Sequence, residues 1–293
     1  MSKKYGALEA GGTKMVCAIG DENGKIAEQI SLPTRTPADT LPPIIDYFKD
    51  KGIAALGIGC FGPIDLRRDS PAWGRILDTP KLPWRNYDIA GALKNALQVP
   101  VGFDTDVNGS LLGEVTYGTA KGLTDVVYIT IGTGIGAGIL SGGNLLHGML
   151  HAEAGHIIMA PVAGDNYRGK CPYHRTCFEG MAAGPAIEER WGAKGRELAG
   201  KAEVWELEAE YIAQAVASLV MVLSPQRFIL GGGVMHQQQL FPLIREKTRK
   251  YIAGYINTKE LNDLDHYIVP ASLGDDQGIM GAVKLAIDAE NAR

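Results

Sequence analysis

A tight group of cysteine and histidine residues stands out in the second half of the chain. Cys171, His174 and Cys177 follow a Cys-x2-His-x2-Cys spacing, and His156 precedes them by fifteen residues. Two thiolates and two imidazoles suit a closed tetrahedral zinc site, which is a structural rather than a catalytic arrangement. We therefore predict that these four residues hold a structural zinc that fixes the surrounding loop. The alternative is that the two cysteines are incidental core or surface residues.

Carboxylates provide a second candidate for chemistry. Asp104 and Asp106 follow an apolar run predicted as a strand over 99–103 and precede a predicted helix over about 107–117. One of the two could be the helix N-cap. Transfer of a phosphoryl group from ATP to an alcohol needs aligned reactants, neutralised charge and a base for the hydroxyl proton. We predict Asp106 rather than Asp104 as that base. Glu153 and Glu179 flank the cysteine and histidine group and are candidates for holding the hydroxyls of a polyol.

Two glycine-rich turns, at residues 11–14 and 132–136, each lie between apolar runs that predict strands. Glycine lets the backbone pass close to phosphate oxygens and expose its N–H groups, and Lys14 and Thr133 are placed to meet phosphate. The second turn matches the dinucleotide fingerprint in form, but a strand follows it where that fingerprint requires a helix. A third glycine run, 231–233, could let an adenine ring or ribose lie against the backbone. The alternatives are tight hairpins for the first two and a strand-to-helix turn for the third.

The elements around these residues repeat. Strands at 5–10 and 15–20 with a hairpin tip at 21–25 are matched by strands at 125–131 and 136–141 with a tip at 141–144. The remaining pattern predicts strands at 55–60, 227–230 and 266–269, helices near 38–51, 88–97, 203–223, 239–253 and 278–290, and irregular segments at 65–86 and 160–178. We predict a duplicated α/β protein with an N-terminal domain over 1–117 and a C-terminal domain over 118–293, with the last helix (about 278–293) able to pack back on the first domain.

Composition excludes several classes of protein. The chain has 293 residues, a net charge of −4 and four cysteines, which disfavours a nucleic-acid groove and a disulfide scaffold. We find no apolar run long enough for a membrane helix and no signal-peptide core, so we expect a cytoplasmic protein without a membrane or nucleic-acid partner.

Taken together, these motifs resemble the ROK family, which has the actin–hexokinase–Hsp70 (ribonuclease H-like) fold of two related domains around an interdomain cleft. The resemblance covers essentially the whole chain and is strongest to the short, zinc-containing fructokinases of bacteria. The motifs that carry it are Glu9-Ala10-Gly11-Gly12-Thr13-Lys14, Gly62-Pro63-Ile64-Asp65, Asp104-Thr105-Asp106-Val107-Asn108, Gly132-Thr133-Gly134-Ile135-Gly136, Glu153-Ala154-Gly155-His156, residues 171–179 and Leu230-Gly231-Gly232-Gly233-Val234.

The resemblance implies a role for each matching position. Asp106 matches the general base, and His156, Cys171, His174 and Cys177 match the zinc ligands. The expected sugar contacts are Gly62, Pro63, Thr105, Asp106, Glu153 and Glu179. The expected ATP contacts are Gly11, Gly12, Thr13, Lys14, Thr133, Gly134, Pro185, Gly231, Gly232, Gly233, Val234 and Met235. Three positions depart from the common pattern: Glu9 replaces an aspartate that would help Mg2+, Thr105 replaces an asparagine, and His174 replaces a cysteine.

The resemblance therefore implies an enzyme that uses ATP and Mg2+ to phosphorylate fructose to fructose 6-phosphate, with sugar and ATP as its small-molecule partners and a homodimer as its assembly. An alternative is a kinase for glucose, mannose or N-acetylmannosamine. A more remote alternative is a sugar-sensing regulator, which would carry an additional DNA-binding segment before the first strand.

Overall fold

The computed structural model describes residues 2–292, which form two compact units. The first unit contains residues 2–122, 145–152 and 272–292, and the second contains residues 123–144 and 153–271. The chain thus leaves the first unit after Gly122 rather than after residue 117. It returns twice, once for the short segment 145–152 and once from Ser272 to the C-terminal helix.

The secondary structure of residues 2–292 combines strands and helices. The strands are β1 (Tyr5–Ala10), β2 (Lys14–Gly20), β3 (Ile26–Pro33), β4 (Leu56–Cys60), β5 (Val101–Thr105), β6 (Val126–Ile131), β7 (Ile135–Ser141), β8 (Asn144–Leu145), β9 (Arg227–Gly231) and β10 (Ile268–Pro270). The helices are α1 (Pro37–Phe48), α2 (Ile89–Leu97), α3 (Asp106–Thr116), α4 (Phe178–Ala182), α5 (Gly184–Trp191), α6 (Ala202–Leu223), α7 (Leu240–Ile252), α8 (Lys259–Asn262), α9 (Leu264–Tyr267) and α10 (Gln277–Asn291).

Each unit is built on a five-stranded mixed sheet, and the two sheets have the same topology. The order is β3-β2-β1-β4-β5 in the first and β10-β9-β6-β7-β8 in the second. In both sheets the first two strands form an antiparallel hairpin. A parallel strand pairs with the first strand of the hairpin (β4 with β1, β9 with β6), and a second parallel strand pairs with that one (β5 with β4, β10 with β9). The duplication predicted from the two glycine turns is therefore confirmed.

The sequence prediction missed β3, although it extends the first sheet over eight residues. Only Ile26, Ile30 and Leu32 are half-buried, and its other five residues are exposed. An edge strand with one solvated face carries few apolar side chains, so the apolar runs that revealed the central strands are lacking here. The strand near 266–269 is also shorter than predicted, because α9 occupies residues up to Tyr267.

Helix α10 packs against β4, β5 and α3 in the first unit, and glycines make this approach possible. A Cβ at Gly57 would lie 1.8 Å from the carbonyl oxygen of Ala282, and a Cβ at Gly281 would lie 1.6 Å from that of Gly109. The C-terminal helix therefore supports α3, the helix that begins at Asp106. No helix among residues 2–292 is both long enough and apolar enough to span a membrane.

Candidate active site

Asp106 lies where β5 ends and α3 begins, as the first residue of the helix. The N-cap is Thr105, whose buried side-chain oxygen accepts a hydrogen bond from the Asn108 N–H at 3.0 Å. The expectation that one of the two aspartates is the N-cap is therefore wrong, because the intervening threonine takes that position. Capping by Thr105 leaves the carboxylate of Asp106 in the first turn, where the positive end of the helix dipole stabilises negative charge.

Asp104 is buried beside α3 and has polar partners on three sides. Its carboxylate accepts hydrogen bonds from the Thr105 N–H at 2.8 Å and from the Asn108 Nδ2 at 2.6 Å. The Nε2 of His147 lies 2.9 Å from its other oxygen. These bonds give Asp104 a positioning role at the start of α3.

Two histidines in the segment 145–152, His147 and His151, were not predicted as site residues. Bonding to Asp104 raises the pKa of His147, against the opposing effect of burial. His151 accepts a hydrogen bond from the Ile64 N–H through Nε2 at 3.3 Å, so this nitrogen carries no proton. Burial lowers the pKa of His151, which is consistent with a neutral ring. The four-residue spacing of the two histidines was visible in the sequence, but the folding of their loop onto the first unit was not.

The first glycine turn, residues 11–14, joins β1 to β2 at the same end of the sheet. The Gly11 N–H donates to the Lys14 carbonyl at 3.1 Å, and Thr34 fixes the turn from the end of β3. The Thr34 hydroxyl donates to the Gly11 carbonyl at 2.8 Å, and its N–H donates to the Thr13 carbonyl at 2.9 Å. The two hydrogen bonds from Thr34 therefore fix the backbone of the turn, and Gly11 and Gly12 are half-exposed.

Glu9, one of the three residues that depart from the family pattern, is the last but one residue of β1. Its pKa is raised from 4.5 to about 7, chiefly because burial disfavours the charged form and secondarily because Asp106 repels it. Lys14 acts in the opposite direction, and Asp275 and Asp276 add to the rise. An excess of negative charge therefore surrounds the end of β1, which is an environment that favours a bound cation.

Gly62 and Pro63 follow β4 and lie beside the same turn. The Phe61 N–H donates to the Ala10 carbonyl at 2.9 Å, which joins the two loops at the ends of adjacent strands. A Cβ at Gly62 would lie 3.0 Å from the ring of His151, and the Gly62-Pro63 peptide is cis. In the first unit the structure thus brings together the predicted residues of the first glycine turn, the Gly62-Pro63 loop and Asp106.

In the second unit, the second glycine turn contacts Glu179, one of the two predicted sugar-binding carboxylates. The Ile135 N–H donates to Glu179 Oε2 at 2.9 Å, and a Cβ at Gly134 would lie 2.8 Å from the same oxygen. The pKa of Glu153 is raised by burial and by the charge of Glu179. Glu179 is in the short helix α4, whose N-cap is the predicted metal ligand Cys177.

A cavity of about 740 Å³ opens beside the second glycine turn, within the second unit. Thr133, Pro185, Gly233 and Val234 line it, as expected for ATP contacts. Met235 is buried, and Gly134, Gly231 and Gly232 are outside the lining. The remaining lining residues are Gly132, Gly184, Ile187, Glu188, Lys194, Gly195, Arg196, Trp205, His236 and Gln237.

Two basic residues in this lining, Lys194 and Arg196, were not predicted as site residues. They stand in a short basic and glycine-containing segment after α5, which could have been noticed in the sequence. Lys194 and Arg196 contribute positive charge to the cavity. Helix α5 is fixed against the second glycine turn, because the Gly184 N–H donates to the Gly132 carbonyl at 2.8 Å. A nucleotide with its base in the cavity and its phosphates toward the turn would suit this lining.

The four predicted metal ligands are brought together. Each offers one ligand atom, and these atoms all lie within 4.8 Å of one another. His156 Nδ1 lies 3.8 Å from Cys171 Sγ and 3.5 Å from Cys177 Sγ, and His174 Nδ1 lies 3.9 Å from Cys171 Sγ. A tetrahedral zinc with ordinary bond lengths separates sulfur and nitrogen ligands by about 3.6 Å. We call these four residues the Cys/His cluster, and its geometry fits a metal of this kind.

The chain is similar to named fructokinases along almost all of its length. A fructokinase from Pediococcus pentosaceus is 46% identical over 281 residues, with 96% of each chain covered. A fructokinase from Streptococcus mutans serotype c (strain ATCC 700610 / UA159) is 41% identical over 291 residues, with 98% of each chain covered.

Among solved structures, a ROK family glucokinase from Streptomyces griseus in complex with glucose and AMPPNP is 25% identical, with a TM-score of 0.77 over 97% of this chain and 99% of that one. The expected actin–hexokinase type of fold is thereby confirmed. The sequence profile described as the ROK family matches residues 5–289, and on this match and these relatives the chain belongs to the ROK family.

Proposed function

We propose that this protein transfers the γ-phosphoryl group of ATP to the 6-hydroxyl of fructose, giving ADP and fructose 6-phosphate. Membership of the ROK family and near-full-length similarity to named fructokinases support the proposal. The observation that carries it is the half-buried Asp106 at the start of α3, on the same sheet as the first glycine turn. A base and a phosphate-binding turn are the groups that phosphoryl transfer to an alcohol requires.

Asp106 is the general base of the proposed reaction. Its carboxylate accepts the proton from the sugar hydroxyl as the oxygen forms a bond to the γ-phosphorus and the bond from that phosphorus to the bridging oxygen of ADP breaks. The orienting contact is the Val107 N–H, which donates to Asp106 Oδ1 at 2.9 Å.

The proposed sugar contacts of the second unit are Glu153 and Glu179. Those of the first unit are Gly62, Pro63 and Thr105. Bonding to the Ile135 N–H holds Glu179 in one orientation, which is what discrimination between hydroxyl positions needs. The Thr105 side-chain oxygen accepts a hydrogen bond from the Asn108 N–H, which fixes the start of α3 beside Asp106.

ATP binds the second unit in the 740 Å³ cavity. Thr133, Gly134, Pro185 and residues 231–235 are the proposed nucleotide contacts of the second unit. The proposed phosphate contacts of the first unit are residues 11–14, the first glycine turn. Mg2+ bound with ATP neutralises charge on the transferred phosphoryl group. Glu9 is the residue of the first unit that would hold it, since a cation relieves the repulsion between the buried carboxylate and Asp106.

The Cys/His cluster holds a structural zinc. Its ligands leave no open position for substrate, so the metal would order residues 160–177 rather than take part in the reaction. Ordering matters for chemistry because Cys177 caps the helix that carries Glu179.

A coupled assay of ADP release tests the proposed function. With fructose, mannose, glucose and N-acetylmannosamine supplied separately, we expect the highest kcat/KM for fructose. Faster turnover of another hexose would replace fructose as the substrate, and no ADP release with any of the four would refute the kinase function.

A further inference from the structure

Lys81 lies in the irregular segment that connects the Gly62-Pro63 loop to α2. The chain on its N-terminal side is tied to that loop, because the Leu77 N–H donates to the Pro63 carbonyl at 2.8 Å. On its C-terminal side a short 3-10 helix, Leu82–Trp84, begins at once. Trp84 is buried, and its Nε1 donates to the Arg35 carbonyl at 2.6 Å. The backbone of Lys81 is therefore fixed at both ends.

The side chain of Lys81 lies against the first glycine turn. A Cβ built at Gly12 would be 2.5 Å from Lys81 Cε and 3.1 Å from Lys81 Nζ. The ammonium group also lies 6.0 Å from the centroid of the Phe61 ring, next to Gly62. Glycine at position 12 leaves the room that the lysine occupies, and the ammonium is brought to the first glycine turn.

The charge of Lys81 has no counter-ion within residues 2–292. The lysine is half-buried, and the acid nearest to it in sequence, Asp78, is paired with Arg85 at 2.6 Å. A partly desolvated ammonium next to backbone N–H groups creates a positive site that suits an oxyanion. Since the glycine turn beside it is the proposed phosphate-binding turn, the anion of matching chemistry is a phosphoryl group.

We propose that Lys81 binds the phosphoryl group that is transferred, and afterwards the phosphate ester of the product. The inference rests on the proposed function and deepens it by adding a catalytic residue. The ammonium neutralises charge on the equatorial oxygens in the transition state, a task for which a compact point charge on a flexible stem is suited. It neither donates nor accepts the proton that moves to Asp106.

The test compares Lys81→Met, which keeps the apolar stem, with Lys81→Arg, which keeps the charge. Lys94→Met is the matched control, since Lys94 is an exposed lysine on α2 in the same unit. We expect Lys81→Met to lower kcat/KM for ATP by about 100-fold, as removal of one charge-stabilising donor does. We expect the KM for fructose to change less than about threefold, Lys81→Arg to recover at least a tenth of the activity, and Lys94→Met to behave as wild type.

Binding measurements separate this inference from the proposed function. Titration calorimetry with fructose 6-phosphate and, separately, with inorganic tripolyphosphate should show at least about tenfold weaker binding to Lys81→Met than to wild type. If the wild type fails to phosphorylate fructose, the proposed function fails, and tripolyphosphate binding still decides the role of Lys81. Kinetics and anion binding equal to wild type in Lys81→Met would overturn the inference. It would also be overturned if Lys81→Arg lost as much kcat/KM for ATP as Lys81→Met and both variants melted at a lower temperature, because Lys81 would then act in packing.

Discussion

Replacing Glu9 by glutamine should stabilise the protein in alkaline solution and leave its stability unchanged in acid. Glu9 is a buried carboxylate with a pKa raised from 4.5 to about 7, by burial first and by the charge of Asp106 second. Below pH 4.5 the group is protonated in both the folded and the unfolded chain, and it costs nothing. As the pH rises from 4.5 to 7, the unfolded chain ionises while the folded chain resists, so the free energy of unfolding falls; above pH 7 the loss is complete.

The size of the effect follows from the two pKa values. Each pKa unit is worth 1.36 kcal/mol, so a rise from 4.5 to about 7 corresponds to about 3 kcal/mol lost at pH 8.5. Glutamine has nearly the same shape and no charge. We therefore expect the free energy of unfolding of Glu9→Gln to exceed that of the wild type by about 3 kcal/mol at pH 8.5. At pH 4.5 we expect no measurable difference between the two.

Urea unfolding at pH 4.5 and at pH 8.5, without nucleotide or Mg2+, measures this difference. Glu22→Gln is the control, because Glu22 is exposed at the tip between β2 and β3. It should change the unfolding midpoint at neither pH. Equal midpoints for Glu9→Gln and wild type at pH 8.5, or a gain of the same size at both pH values, would refute the reasoning.

Two further predictions concern the Cys/His cluster and the His147–Asp104 pair. We expect one zinc per chain in the wild type, measured by elemental analysis. Cys177→Ser should lose this zinc and melt at a lower temperature, whereas Cys60→Ala should keep it. Equal zinc content in the wild type and both variants would contradict the proposed zinc site. The Asp104 pairing raises the pKa of His147 above 6.5, so its contribution to stability is full below pH 6.5 and is lost as the pH rises through the raised value. The stability difference between wild type and His147→Gln should therefore be larger at pH 6 than at pH 9, and a difference that is constant or grows with pH would contradict the pairing.

The sequence revealed those features whose signal is local. A glycine turn between two apolar runs, or three ligands within seven residues, can be recognised without knowing what lies nearby. The structure accordingly has the two hairpins where they were predicted, and it brings His156 to the residues of the Cys-x2-His-x2-Cys run. Metal-ligand spacing is informative because few other functions need those residue types so close together.

Features that depend on the return of distant segments were missed. His147 reaches Asp104 because the loop 145–152 folds back on the first unit, and nothing in its composition predicts that path. Lys81 reaches the first glycine turn from an irregular segment that has no periodicity. Lys194 and Arg196 line the cavity because α5 directs the following loop there. In each case an ordinary residue acquires significance only from its neighbours in space.

The central claim is that Asp106 is the base of a sugar kinase, and Asp106→Asn tests it most directly. Steady-state ADP release with fructose should fall by about 100- to 10,000-fold, the usual contribution of a general base. Fructose affinity, measured by calorimetry on the same preparation, should stay within a few-fold of the wild type. Turnover in Asp106→Asn equal to that of the wild type, with fructose still bound, would contradict the account.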